Sequence, residues 1–208
     1  MGRGRIGLAA VTVVVVLLAS RTAAGQTAAA EWTRGSGVTV LGGVGTDEAH
    51  TSWVAGGGFV WDVTPRLTVE ATAVWLDRGP GAEGFSADIA TLFSLAPPRQ
   101  VVPFVKGGFG AYRAGFSIAQ SPVPAFYQPR VEALAGPFRS TASFTDPMVV
   151  LGAGLRVRLS DRVAMRPEVD ARLVFRDSRG HWLASAALRV SYSFEDRPVT
   201  DRGMRPDP

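Results

Sequence analysis

Charged residues of both signs occupy every second position in the middle of the stretch Val163–Phe175: Arg166, Glu168, Asp170 and Arg172. At this spacing the four side chains share one face of an extended strand, where they can pair or line an ion or proton path. The other face is apolar. A charged face of this length favours a transmembrane strand whose polar side faces a lumen. A solvent-facing edge strand of a soluble sandwich is the alternative.

Two histidines offer the remaining candidate chemistry. His50 follows Asp47 and Glu48, but the spacing of a structural metal site is absent. A hydrolytic site would need a serine near a histidine, as in a His-x-Ser arrangement, but His181 is followed by Trp182 and Leu183. Ser185 lies four residues after His181, so a hydrolytic site remains an alternative. We therefore predict no catalytic residue, no metal site and no cofactor.

The first 25 residues have the pattern of a secretory signal. Arg3 and Arg5 precede an apolar run, and small residues follow that run, so cleavage is expected between Gly25 and Ala30. The apolar run is short for a spanning helix. Loss of this segment leaves 19 of the 22 basic residues against 18 acids, so net charge gives no support for nucleic-acid binding. Cysteine is absent, which excludes disulfides and thiol chemistry.

Eight runs of alternating polarity follow the signal, most of them with the length that a tilted strand needs to cross a bilayer. Their apolar faces are free of charge. The predicted strands are Gly37–Val44, Ser52–Asp62, Arg66–Leu76, Phe85–Leu95, Val101–Phe116, Met148–Leu159, Val163–Phe175 and Trp182–Phe194.

The connections between these runs are predicted to alternate between longer and shorter. Outer-membrane barrels have long outer loops and short periplasmic turns, so this pattern favours such a barrel over a sandwich. In chain order the connections are Gly45–Thr51, Val63–Pro65, Asp77–Gly84, Ala96–Gln100, Ser117–Pro147, Ser160–Arg162 and Arg176–His181.

Aromatic residues concentrate at both ends of the apolar faces, which is typical of the two interfaces of a membrane. The predicted belts contain Trp53, Trp75, Phe175 and Trp182 near the longer loops, and Trp61, Phe93, Tyr192 and Phe194 near the turns.

Ten charged residues are predicted to face the lumen. An eight-stranded barrel is just wide enough for its side chains to fill it, so these charges must pair, and Arg156 and Arg158 are expected to approach Glu168 and Asp170. An internal plug of salt bridges is favoured, and an ion or proton path is the alternative. The set is Glu70, Asp88, Lys106, Arg156, Arg158, Arg166, Glu168, Asp170, Arg172 and Arg189.

The stretch Ser117–Pro147 contains several prolines and is predicted to be irregular. Loops of this length are usually functional or disordered. Exposed aromatic and arginine side chains make it the candidate surface for a partner or for lipopolysaccharide phosphate. The candidate contact residues are Phe126, Tyr127, Arg130, Phe138 and Arg139.

Two stretches carry a family resemblance. Pro103–Tyr112 resembles the Pro-, aromatic- and Gly-rich central strand of small eight-stranded barrels of the OmpA/OmpX type, and Leu188–Phe194 is similar to their terminal assembly signal. Fourteen residues follow Phe194, whereas many members of the family end at that aromatic residue. The resemblance implies a bacterial outer-membrane location, contact with outer-membrane lipid and lipopolysaccharide, and insertion by the barrel assembly machinery.

We therefore predict an all-β protein, an eight-stranded antiparallel up-and-down transmembrane β-barrel. Residues 1–25 are assigned to the signal, 26–36 to a periplasmic segment, 37–194 to the barrel and 195–208 to a polar tail. The expected role is structural, in envelope integrity or in surface contact, as a non-enzymatic monomer that binds no nucleic acid. A narrow pore or hydrophobic-ligand channel, a lipid-modifying enzyme and a soluble lipocalin-like barrel are the alternatives.

Overall fold

Eight antiparallel strands form a closed barrel in the computed structural model, and each strand pairs with its neighbour in the sequence. Pairing of β1 with β8 completes the ring. The structure describes residues 35–47, 51–79, 81–117, 123–134, 140–176 and 179–194. The elements are β1 Gly35–Thr46, β2 Thr51–Thr64, β3 Leu67–Asp77, β4 Ala82–Ser94, β5 Val101–Ser117, helix α1 Gln128–Leu134, β6 Thr141–Arg158, β7 Val163–Arg176 and β8 Arg179–Ser193.

The predicted fold class is confirmed, and each predicted strand overlaps an observed one. The largest boundary error concerns β6, which begins at Thr141 rather than at Met148. Pro147 therefore lies inside a strand that was predicted to start after it. Pairing with β7 begins only at Met148, so Pro147 is placed where β6 pairs with β5 alone, and proline is tolerated at such an edge.

The predicted alternation of loop lengths is wrong. The connection between β7 and β8 spans only residues 177–178, because both strands continue past the predicted belt and pair up to Arg176 and Arg179. The turn between β4 and β5, residues 95–100, is longer than the connection 78–81 between β3 and β4. Only the connection 118–140 is long, and it contains α1.

Burial alternates along the strands in the period that the sequence predicts. In β4 every second residue from Ala82 to Ser94 is buried and every intervening residue is exposed. In β7 the buried positions include all four charged residues from Arg166 to Arg172, and the apolar positions between them are more exposed. The barrel is thus polar inside and apolar outside over much of its height, the reverse of a soluble barrel.

Several predicted features lie outside the described residues. These are the signal segment, residues 26–34 of the predicted periplasmic segment, Glu48, His50, Phe138, Arg139 and the tail 195–208. Within the described ranges, no helix is long and apolar enough to cross a membrane.

Candidate functional site

Arg189 lies at the centre of the barrel and joins acids from two other strands. Its guanidinium donates to Glu70 on β3 and to Glu168 on β7. A third acid, Asp170, lies 3.7 Å from the same group. Because Arg189 and its partners are buried, the guanidinium and the carboxylates compensate one another's lost hydration.

Lys106 completes the same cluster from β5. Its ammonium lies 2.7 Å from Asp170 and 3.2 Å from Glu168. Gly152 occupies the register position between Lys106 and Asp170. A side chain at Gly152 would collide with the Asp170 carboxylate, so glycine is required for the lysine and the acid to meet across β6.

Further polar contacts extend the cluster above and below this centre. Arg166 pairs with Glu70 at 2.7 Å, and Arg172 lies 3.6 Å from Asp170 and donates to the Ser185 hydroxyl at 2.8 Å. Asp88 forms no salt bridge with the described residues; it accepts a hydrogen bond from the Thr72 hydroxyl at 2.9 Å. We call these eight charged residues the interior charge network: Glu70, Asp88, Lys106, Arg166, Glu168, Asp170, Arg172 and Arg189.

The network contains four acids and four bases and spans the bore from β3 to β7 and β8. Nine of the ten residues predicted to face the lumen are buried inside the barrel: the eight network residues and Arg156. The tenth, Arg158, is half-buried. The expected pairing of Arg156 and Arg158 with Glu168 and Asp170 is wrong. Arg156 instead lies 3.6 Å from Asp62 and donates to Thr68 at 2.9 Å, and Arg158 pairs with Asp161. Both arginines lie closer to the turn end of β6 than Gly154, which pairs with Glu168, so Arg156 reaches β2 and β3 across the barrel and Arg158 reaches the adjacent turn.

The other half of the interior, toward the long connection, is mainly apolar and contains a few buried polar groups. Residues 123–134, which we call the loop plug, pack against inward-facing side chains of the barrel. Tyr127 is fully buried, and its ring lies 5.1 Å from the Phe116 ring and 5.8 Å from the Phe144 ring. Burial raises the pKa of the Tyr127 phenol, so this group remains neutral at physiological pH.

The expectation that this stretch is an irregular loop with exposed aromatics is wrong in its described part. Residues Gln128–Leu134 form a helix, and Pro129 is accommodated because it lies in the first turn. Tyr127 is buried and Phe126 is half-buried, since both rings help close the barrel mouth. Arg130 remains partly accessible and stacks over Phe144 at 4.0 Å.

Asp146 anchors the loop plug to the barrel wall. Its buried carboxylate accepts from Arg130 of the plug at 2.6 Å and from Arg176 of β7 at 3.1 Å. The plug therefore has a polar clasp in addition to its apolar contacts.

Replacing Asp146 by asparagine is expected to loosen the plug without unfolding the barrel. The change removes the charge shared by two arginines, and we expect a cost of about 1 kcal/mol because Arg130 and Arg176 are partly hydrated. Faster amide hydrogen exchange across residues 123–134 would be the measured sign. Asp161→Asn is the matched control, because Asp161 lies in an exposed turn. Equal exchange in both variants would exclude the clasp.

His181 lies inside the barrel rather than at an outer loop. It is fully buried in β8, and its ring stacks on Phe126 at 5.6 Å and meets Tyr127 at 5.8 Å. Ser185 also faces inward, but four residues along a strand is about 13 Å, too far for a nucleophile and its base. Leu183 is buried between them on the same face. The described residues also contain no group of three or more potential metal ligands.

A second buried cluster near the loop end was missed by the sequence analysis. Arg78 pairs with Asp47 and donates to the Tyr112 hydroxyl at 3.0 Å. Gly84 lies under that hydroxyl, where any side chain would collide with it. Arg78 belongs to a predicted loop rather than a strand, so strand periodicity gave no signal for its burial.

The comparisons with known proteins agree with this architecture. No protein-family model matches the chain, and the comparison with curated proteins finds no match. Neisserial surface protein A superposes with a TM-score of 0.57 at 7% identity, over 77% of this chain and 97% of that one. The N-terminal β-barrel domain of OprF from Pseudomonas aeruginosa gives 0.51 at 15% identity, over 78% and 100%. The chain has the fold of the small eight-stranded outer-membrane barrels.

In this outer-membrane barrel fold, the aromatic residues lie where lipid interfaces are expected. All eight residues of the predicted belts point outward, with exposed fractions from 37% for Phe175 to 69% for Trp53. At the turn end, the Tyr192 hydroxyl accepts from Arg162 at 3.1 Å. An apolar ring with a polar contact at one end suits a membrane interface. Phe59 and Phe109 are exposed at mid-strand, outside both belts.

Proposed function

We propose that this protein is a non-enzymatic barrel of a bacterial outer membrane, with a role in envelope structure, envelope integrity or surface contact. The observation that carries the proposal is the polarity of the barrel: bulky apolar side chains are exposed outside, and paired charges are buried inside. In water this exterior would be a large exposed apolar surface, whereas in a bilayer it is covered by lipid. The similarity in fold to solved outer-membrane barrels supports the membrane location, and the role itself is our inference.

The interior argues against the alternative functions. A hydrophobic-ligand channel needs an apolar path, but the interior charge network crosses the bore. A lipocalin-like barrel needs an apolar cavity and a polar exterior, which is the opposite arrangement. A lipid-modifying enzyme of the His–Ser type would need His181 beside Ser185, and the strand places them apart.

The proposed partners follow from the exterior. We propose that the barrel contacts outer-membrane lipid and lipopolysaccharide through its aromatic belts, and that the barrel assembly machinery recognises Leu188–Phe194 during insertion. The alternating apolar residues of that stretch point outward in β8, so they are available while the strand is being inserted. We propose a monomer that binds no nucleic acid.

Native protein in planar lipid bilayers is expected to show no steady conductance. Two layers obstruct the bore, the interior charge network and the loop plug, and an ion would have to displace paired charges to pass. Single-channel recording under voltage tests this, with an open porin in the same bilayer as the positive control. Large, stable current steps from the native barrel would contradict the structural role and favour a pore.

A further inference from the structure

A polar cleft of about 580 Å³ opens on the outer surface of the barrel, near the loop end of β3, β4, β5 and β6. We call it the headgroup cleft, and it contains both charged and hydroxyl side chains. Its residues include Trp75, Glu83, Arg113, Ser117, Thr141 and Ser143.

Strand register places this cleft directly above an aromatic belt. Trp75 pairs with Phe85, Phe85 with Arg113, and Arg113 with Thr145, so these outward side chains form one row across four strands. Glu83, Gly115 and Ser143 form the next row toward the loops. Arg113 therefore lies two strands from an interfacial tryptophan on the same outward face and near the loop end of its strand, where a long side chain can reach the charged part of a lipid headgroup.

Among the described residues that line the cleft, Arg113 is the only basic one, and the ion pairs of the interior described above do not involve it. Its side chain is exposed, and guanidinium groups bind phosphate oxygens in a bidentate manner. The hydroxyls of Ser117, Thr141 and Ser143 can donate to and accept from sugar hydroxyls. Glu83, folded across Gly115, can accept from sugar hydroxyls but disfavours a second phosphate beside it.

An apolar groove of about 720 Å³ lies on the same outer surface, one row below. Its floor is made of small side chains, because Gly57 pairs with Ala73 and Ala73 pairs with Ala87. Exposed Phe59, Ile89 and Phe109 border it, and these are the mid-strand aromatic residues that fit neither belt. Ala73 is two residues from Trp75, or about 7 Å along the strand, which brings the groove next to the headgroup cleft.

We propose that the headgroup cleft and the groove together form one site for a phosphorylated glycolipid of the external leaflet. Arg113 binds a headgroup phosphate, the hydroxyls bind the sugar, and an acyl chain lies over the small residues between the two rows of larger side chains. This inference rests on the proposed function, because it takes the loop end of the barrel to face the outside of the cell. A general lipid annulus would need neither the isolated arginine nor the groove.

Native mass spectrometry of the folded barrel, released from detergent micelles, tests the site. The probes are lipid A with two phosphates, the same lipid after dephosphorylation, its deacylated phosphorylated disaccharide, and inorganic phosphate. Phosphorylated, acylated lipid A is expected to bind most tightly, with one molecule per barrel. Arg113→Gln should weaken that binding about tenfold, the loss expected for one charge-assisted hydrogen bond, and should leave the dephosphorylated lipid unaffected.

Two further variants separate the headgroup from the acyl chain. Ala73→Leu should fill the groove and weaken lipid A binding, while binding of the deacylated disaccharide stays unchanged. Glu83→Gln should strengthen lipid A binding, because it removes a negative charge near the phosphate. The matched controls are Arg66→Gln, an exposed arginine at the turn end, and Ala153→Leu, an exposed alanine on β6 outside the groove. Heat-modifiable gel mobility verifies that each variant is folded.

Three outcomes would overturn the proposal. Equal binding by native protein and Arg113→Gln would remove the phosphate contact. Inorganic phosphate that binds as tightly as lipid A would assign the cleft to free phosphate. A dimer that forms without lipid and is lost in Ala73→Leu would assign the groove to a second copy of the chain. All of these measurements use purified protein in detergent. A negative result would therefore contradict the lipid site without contradicting the membrane location, which cell fractionation tests separately.

Discussion

Replacing Arg189 by methionine is expected to destabilise the barrel by about 3–5 kcal/mol, the usual cost of leaving buried charges without their partner. Arg189 is fully buried and contacts Glu70, Glu168 and Asp170. Without it, three bases of the interior charge network face four acids. Urea unfolding of the protein in lipid vesicles, followed by tryptophan fluorescence, measures the loss.

The same replacement at Arg158 is the matched control for this prediction. Arg158 pairs with Asp161, whose side chain is 81% exposed, so its loss should cost less than about 1 kcal/mol. Adding Glu168→Gln to Arg189→Met should restore part of the stability, because the double variant again balances the network. If Arg189→Met were as stable as native protein, the network would not hold the barrel together.

Replacing Val169 by arginine is expected to cost about 2–4 kcal/mol, because it places a charge on the lipid face near the middle of the bilayer. Val169 lies near the centre of β7 and points away from the buried charges on either side of it. Refolding yield and unfolding free energy in vesicles should both decrease.

Val163→Arg makes the identical change on the same face of β7, at the turn end. An arginine there can reach the interface, so the expected cost is about 0–1 kcal/mol. A clear difference between the two variants would place mid-β7 in hydrocarbon. Equal effects would mean that the apolar exterior does not face a membrane, whatever the fold.

Much of the fold is predictable because a β-strand has a period of two. In β7 the alternation of Arg166, Glu168 and Asp170 with apolar residues assigns each side chain to one face, and all three charged residues are buried in the structure. In an eight-stranded barrel one of the two faces must fill the bore. The aromatic residues at the ends of the apolar face indicate that this face meets lipid, which leaves the charged face inside.

The partners inside the barrel are not predictable in the same way. Lys106 meets Asp170 across an intervening strand, at a contact set by register and by the missing side chain of Gly152. Sequence spacing within one strand carries no information on that register. For Arg158, the nearby turn offers Asp161 at short range, and a local partner replaces the expected contact across the sheet.

The loop plug was missed for a related reason. The prolines of the long connection predict an irregular stretch, but they do not exclude a short helix with proline in its first turn, and Pro147 itself lies inside β6. Burial of Tyr127 depends on the apolar mouth of the barrel, which is formed by residues such as Phe116 on β5 and Phe144 on β6. Their inward direction becomes evident only once the strand boundaries are known.

Fractionation of cells that produce the native chain tests the central claim most directly. We expect the protein in the outer-membrane fraction, resistant to extraction with high salt, and migrating faster on a gel when unheated than after boiling. A compact barrel that survives detergent explains the faster migration. Recovery in the soluble periplasmic fraction, with the same mobility before and after heating, would contradict a lipid-facing exterior and favour a soluble barrel.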